Sequence, residues 1–112
     1  MRWNVSTRRK RRSGTKVSKR NRNRGKDYER WLAQDLAGRR TGILGNEDVV
    51  TTRFGIEAKE REKIPKFIEN CVGQAIRNCP DDKLPIVCIH KLGGSHHGDL
   101  VIMEYSVFKA II

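Results

Sequence analysis

Thr51 to Glu62, TTRFGIEAKERE, alternates in a way that suits an extended chain. On a strand, side chains two apart share a face. Glu57 and Lys59 therefore point one way. Ile56 and Ala58 point the other, joined by Phe54 if the strand runs unbroken through Gly55. One edge is apolar enough to bury, and the other offers a carboxylate beside an ammonium. Asp48 lies nine positions before Glu57. Asp…Glu-x-Lys is the minimum set for metal-dependent phosphodiester chemistry: carboxylates hold a hard cation, and a lysine orients water and phosphate. An isolated Glu-x-Lys recurs by chance in charged segments. Its weight here comes from context, because it ends an apolar strand, has an acid upstream and is followed directly by an amphipathic helix.

Working outward, Glu47 to Glu60 is the central strand region, a hairpin or two strands bent near Arg53 or Gly55. Its Thr, Val, Phe and Ile residues favour strands, and Gly55 allows a bulge. Ile64 to Cys79 is a helix, with Ile64, Phe67, Ile68, Cys71, Val72, Ala75, Ile76 and Cys79 on one stripe. Pro65 fits its first turn, and Pro80 and Asp81 end it. Gln74 borders that stripe, either as a flanking polar residue or as one reaching a cleft. On the other side, Gly25 to Gly38 reads as a helix with Tyr28, Trp31, Leu32 and Leu36 inward, and Gly38 suits its C-terminal cap. Glu29 lies at the border of the inward stripe. It is either a surface Glu paired with Arg30 or Arg40, or a carboxylate that looks into a cleft. Arg39 to Asn46 is a loop.

Leu84 to Lys91 is a short, nearly continuous apolar run and reads as a buried strand. A glycine-rich turn follows from Leu92 to Gly98, and Asp99 to Tyr105 returns as a second strand. Ser106 can cap a last helix carrying Val107, Phe108, Ala110 and Ile111. The order α-β-β-α-β-β-α, a sheet covered by helices, is an α/β sandwich. Cys88, His90, His96 and His97 have a spacing that matches no closed zinc site with two separated ligand pairs. Cys88 is expected in the core, and His96 and His97 toward phosphate or solvent. Cys71 and Cys79 would sit ~12 Å apart along a helix, too far for a disulfide, and all three cysteines read as buried thiols of a cytoplasmic protein. No apolar run approaches the roughly 20 residues that cross a bilayer. No Walker-type phosphate loop and no Ser-His-Asp spacing is present.

Charge divides the 112 residues unevenly. Residues 1–24 hold 11 of the 24 Lys and Arg and none of the 13 acids, leaving 13 bases and 13 acids in the rest. A neutral body with a basic tail suggests a polyanion partner, most simply nucleic acid. Residues 1–24 are thus expected as a flexible DNA-binding arm, and 25–112 as the folded domain. Arg8, Arg9, Lys10, Arg11 and Arg12 form its first basic cluster. Lys16, Lys19, Arg20, Arg22, Arg24 and Lys26 continue it.

With these residues in view, the chain resembles the PD-(D/E)xK nuclease superfamily over roughly residues 24–108. Within it, the resemblance is to archaeal-type Holliday junction resolvases and their small phage-encoded relatives. Arg24-Gly-Lys-Asp-Tyr-Glu-Arg30 is similar to that family's first helix, which carries a catalytic Glu. Glu47-Asp48-Val-Val resembles its P-D-[IV]-V, and Phe54 to Lys59 its strand ending in E-x-K. Gln74 in Gly-Gln-Ala resembles the glutamine of the following helix, and residues 83–91 and 99–103 its closing hairpin. Asn46-Glu47 stands where the family has Pro, which leaves Glu47 as the alternative ligand to Asp48.

The resemblance implies a restriction-endonuclease-like mixed β-sheet flanked by helices, acting as an endonuclease on branched DNA. It implies a catalytic set of Glu29, Asp48, Glu57, Lys59 and Gln74. Asp48, Glu57 and the Ala58 carbonyl, with Glu29, would hold one or two Mg²⁺, for which Mn²⁺ substitutes. A two-fold homodimer, in the host cytoplasm if phage-encoded, completes the expectation. The alternatives are the same nuclease acting on linear duplex or flaps, and a non-enzymatic basic nucleic-acid-binding protein.

Overall fold

Thr15 to Arg24 contains no Pro or Gly and is rich in Lys and Arg, which are good helix formers. It runs straight into the amphipathic segment behind it. The result is a single helix of 21 residues, α1 (Thr15–Asp35). The computed structural model describes the backbone of residues 15–42 and 48–112, with side chains from residue 25 onward. The expected boundary between a flexible arm and a folded domain at residue 24 falls within the span of α1. Lys16, Lys19, Arg20, Arg22 and Arg24 belong to that helix, and Lys26 is exposed on it. Arg8, Arg9, Lys10, Arg11, Arg12 and Glu47 lie outside the described residues.

After α1 come β1 (Arg39–Arg40), β2 (Val49–Val50), β3 (Gly55–Ile56), α2 (Lys66–Asn78), β4 (Val87–Ile89), β5 (Leu100–Ile102) and α3 (Tyr105–Ile111). The described residues form a mixed α/β structure with three helices and two small antiparallel sheets. They divide into two compact units, one ending at Arg61 and one spanning Glu62–Ile112. The division falls in Lys59-Glu-Arg-Glu-Lys63, five consecutive charges that cannot be buried cheaply. Each strand pairs within its own unit, where the sequence suggested one mixed sheet. No helix among the described residues is long and apolar enough to cross a membrane.

In the first unit, α1 packs on β1 and β2, and its core is Leu32, Ala33 and Val49, the last with 0% of its surface exposed. Burying such a side chain contributes about 2 kcal/mol. The helix ends in a Schellman turn. Gly38 N–H reaches Ala33 O at 2.7 Å and Ala37 N–H reaches Gln34 O at 3.4 Å. The left-handed residue is Ala37, at φ 55°, and not the expected Gly38. Gly38 serves another constraint: a Cβ there would lie 2.4 Å from Val50 O and 2.8 Å from Thr51 Cγ2. Its missing side chain lets the helix exit press against β2.

Strands β1, β2 and β3 lie side by side in that order. Arg40 is opposite Val49, and Val49 opposite Ile56; Val50 is opposite Gly55, without a bulge. The turn between β2 and β3 has neither Thr52 nor Arg53 at positive φ. Thr51 closes it instead. Its N–H donates to Phe54 O at 2.9 Å, and its Oγ1 accepts from the N–H groups of Arg53 and Phe54 at 3.2 and 3.0 Å. The Arg53 guanidinium stacks 5.2 Å from the Phe54 ring centre.

In the second unit, α2 begins two residues later than its apolar stripe. Pro65 is its N-cap, at ψ 137°, because proline forces the preceding Ile64 toward extended backbone. Helix α2 packs on β4, yet none of its residues is fully buried, and Phe67 stays 60% exposed. About 50 residues cannot enclose both sides of a helix. The expected buried strands are correspondingly short and open: Leu84 and Ile86 are exposed before β4 begins. Cys88, expected in the core, is exposed, since it pairs with the equally exposed Val101 on the outer face of the hairpin. Cys71 and Cys79 are half-buried free thiols. Helix α3 starts one residue before Ser106, with Glu104 as N-cap and no side-chain cap bond. Its Val107 is the buried anchor.

Candidate active site

Around the two-residue strand Gly55–Ile56, burial follows the alternation read from the sequence. Phe54, Ile56 and Ala58 are half-buried, while Gly55, Glu57 and Lys59 are exposed. The ladder pairs Val49 with Ile56 and ends there, and Asp48 precedes it on β2's side.

Asp48 is fixed from both sides. Its N–H donates to Ile56 O at 2.8 Å, and its carbonyl accepts from Thr41 N–H at 3.2 Å. Its carboxylate Oδ2 accepts from Ala58 N–H at 2.7 Å, a short, charge-assisted bond. The acid is thereby tied to the peptide between Glu57 and Lys59. Glu57 Oε2 and Lys59 Nζ are 3.9 Å apart on open side chains. That is beyond hydrogen-bonding range, and such a pair adds little stability. Both groups are left available to a ligand.

Glu29 does not join this group. Its Oε1 accepts from Arg40 Nε at 3.0 Å, with the side chains 22% and 29% exposed. This is the pairing the sequence left open beside the cleft reading. Arg30 bonds Asp27 instead, at 2.8 Å. Gln74 is exposed on α2, in the second unit. The structure thus bonds Asp48 to the Ala58 amide, sets Glu57 beside Lys59 and leaves Glu29 engaged by Arg40.

Among the described residues, the one convergent group of three His, Cys, Asp or Glu is His90, His96 and Asp99. Glu29, Asp48 and Glu57 form no such group. Sequence reasoning considered the histidines with Cys88 and missed Asp99. The available signal was register: in a hairpin joining residues 84–91 and 99–105, the last residue before the turn faces the first one after it.

Comparison of the chain with protein-family models, with curated proteins and with solved structures finds no match.

Proposed function

We propose that the first unit carries a metal-dependent phosphodiesterase centre that cuts DNA, most simply branched DNA such as a four-way junction. The observation that carries this reading is the bond from Ala58 N–H to the Asp48 carboxylate, which holds an acid against the Glu57-x-Lys59 edge. Asp48, Glu57 and the Ala58 carbonyl are oxygen donors of the kind a hard cation takes. Mg²⁺ or Mn²⁺ held there would supply Lewis acidity toward a phosphoryl oxygen.

Lys59, exposed and held only loosely by Glu57, is free to turn its ammonium to a phosphate or to the attacking water. There it would stabilise the charge that builds up in the transition state. Glu57 contributes negative charge beside it. In this reading Glu29 acts through Arg40 as a positioning residue and not as a metal ligand. Gln74 remains a candidate on α2 for contact with the substrate. The basic run from Arg8 to Lys26 supplies phosphate contacts.

The wider proposal keeps the restriction-endonuclease-like mixed sheet, a two-fold dimer that pairs two nicks across a junction, and action in the cytoplasm. The test is Mg²⁺-dependent cleavage of a four-way junction and of matched linear duplex, with wild type, Glu57→Ala and Lys59→Ala side by side. Cleavage lost in both variants while DNA binding persists supports the centre. Cleavage retained by Glu57→Ala refutes it. Tight binding without cleavage of any DNA leaves the basic nucleic-acid-binding protein as the answer.

A further inference from the structure

We infer that His90, His96 and Asp99 form a binding site for a borderline divalent transition ion, of which Zn²⁺ is the type. The site lies wholly in the second unit and does not rest on the phosphodiesterase reading. It is built by the β4–β5 hairpin. Val87 pairs with Ile102, Cys88 with Val101 and Ile89 with Leu100, so the next pair in register is His90 with Asp99. The turn between them is organised by its own hydrogen bonds. Gly94 N–H donates to Lys91 O at 2.8 Å, with Gly93 at φ 84°. Ser95 Oγ accepts from His97 N–H at 3.2 Å. Gly98 and Asp99 N–H groups then close a 3₁₀ turn on Ser95 O and His96 O, at 3.0 and 3.1 Å.

That turn folds His96 back over His90, and their ring centres are 4.3 Å apart. One carboxylate serves both rings. Asp99 Oδ1 is 2.6 Å from His90 Nδ1, and Oδ2 is 3.3 Å from His96 Nδ1. One ligand atom from each residue lies within 4.8 Å of the others.

Two imidazoles and one carboxylate suit zinc and its neighbours, whereas Mg²⁺ prefers oxygen donors throughout. Side chains two apart on a strand share a face, so Cys88 is the one nearby thiol that competes for the role of ligand. It does not belong to the convergent group. Three protein ligands leave coordination positions open, as in sites that exchange water or bind an anionic group.

The experiment uses the full chain, stripped with a chelator and titrated with Zn²⁺ by calorimetry in millimolar Mg²⁺. The variants are His96→Ala, Asp99→Asn and Cys88→Ser. The His96 side chain is 83% exposed, so its removal leaves the fold in place, which circular dichroism checks. The expected result is one Zn²⁺ per chain at micromolar affinity or better, unaffected by Mg²⁺ and by Cys88→Ser. His96→Ala and Asp99→Asn weaken it at least about tenfold. A Co²⁺ adduct should show visible bands without the ultraviolet charge transfer of a thiolate ligand. Equal affinity in wild type and His96→Ala overturns the assignment. So does loss of binding in Cys88→Ser, or no binding below millimolar Zn²⁺.

Discussion

Removing the Asp48 carboxylate tests its structural and its chemical task separately. In Asp48→Ala, Ala58 N–H loses an acceptor 2.7 Å away. The strand ladder ends at Ile56, so the ladder offers no replacement. A hydrogen bond to a charged group contributes about 1.5–3 kcal/mol. Ala58 is half-buried, and partial access of water argues for the lower part of that range, about 1.5–2 kcal/mol. At about 1.4 kcal/mol per tenfold, hydrogen exchange at the Ala58 amide should quicken by about 10- to 30-fold. Asp48→Asn keeps a neutral acceptor worth about 1 kcal/mol, so its exchange should quicken by only about 2- to 5-fold. Amides of the Val49–Ile56 pair serve as the internal reference. On the proposed function, Mg²⁺-dependent cleavage should vanish in both variants, because neither side chain carries the charge a hard cation needs. Unchanged exchange at Ala58 in Asp48→Ala would refute the bond, and full cleavage by Asp48→Asn would refute the chemical role.

Four further outcomes follow from the same geometry. Gly38→Ala drives a Cβ to 2.4 Å from Val50 O; the expected loss is about 1–3 kcal/mol in urea unfolding, and a wild-type midpoint would contradict the close approach. Ala37→Gly relieves a left-handed alanine at φ 55° and should stabilise by about 0.5–1 kcal/mol after the added freedom of the unfolded chain, read as a higher urea midpoint. A double-mutant cycle of Glu29→Gln with Arg40→Gln should give a coupling of about 1 kcal/mol, while Glu29→Gln retains Mg²⁺-dependent cleavage if Glu29 acts only through Arg40. Deleting residues 1–14, which hold six Lys and Arg, should weaken DNA binding and flatten the slope of log affinity against log salt by up to about 5; an unchanged slope would remove that segment from the interface.

The alternation around Glu57 and Lys59 was legible because it rests on a short-range rule. The two-residue period of a strand separates Glu57 and Lys59 from Ile56 and Ala58 wherever the backbone is extended, and burial follows that alternation. The engagement of Glu29 was not legible. Its position at the border of the stripe on α1 allows either an arginine partner or a cleft, and the choice depends on how Arg40 of β1 lies beneath the helix. Gly38 carries the same lesson. A glycine after an amphipathic run looks like a left-handed cap, but here Ala37 takes the left-handed turn and the glycine answers to Val50 across the chain. The His90–Asp99 pairing needed a register, which an apolar pattern states only to within a residue or two.

Composition and periodicity alone were enough for an α/β chain with a basic N-terminal region and a neutral remainder, and for the order of its helices and strands apart from β1 (Arg39–Arg40), which reads as loop in the sequence. These follow from local preference and from which face of each element is apolar. Tertiary structure decided that the described residues form two units, and which charged groups meet. A charge finds its partner by the distance between separate elements. The Arg40 guanidinium at Glu29, the Ala58 amide at Asp48 and the two imidazoles at Asp99 each depend on packing or pairing, which no stretch of residues encodes by itself.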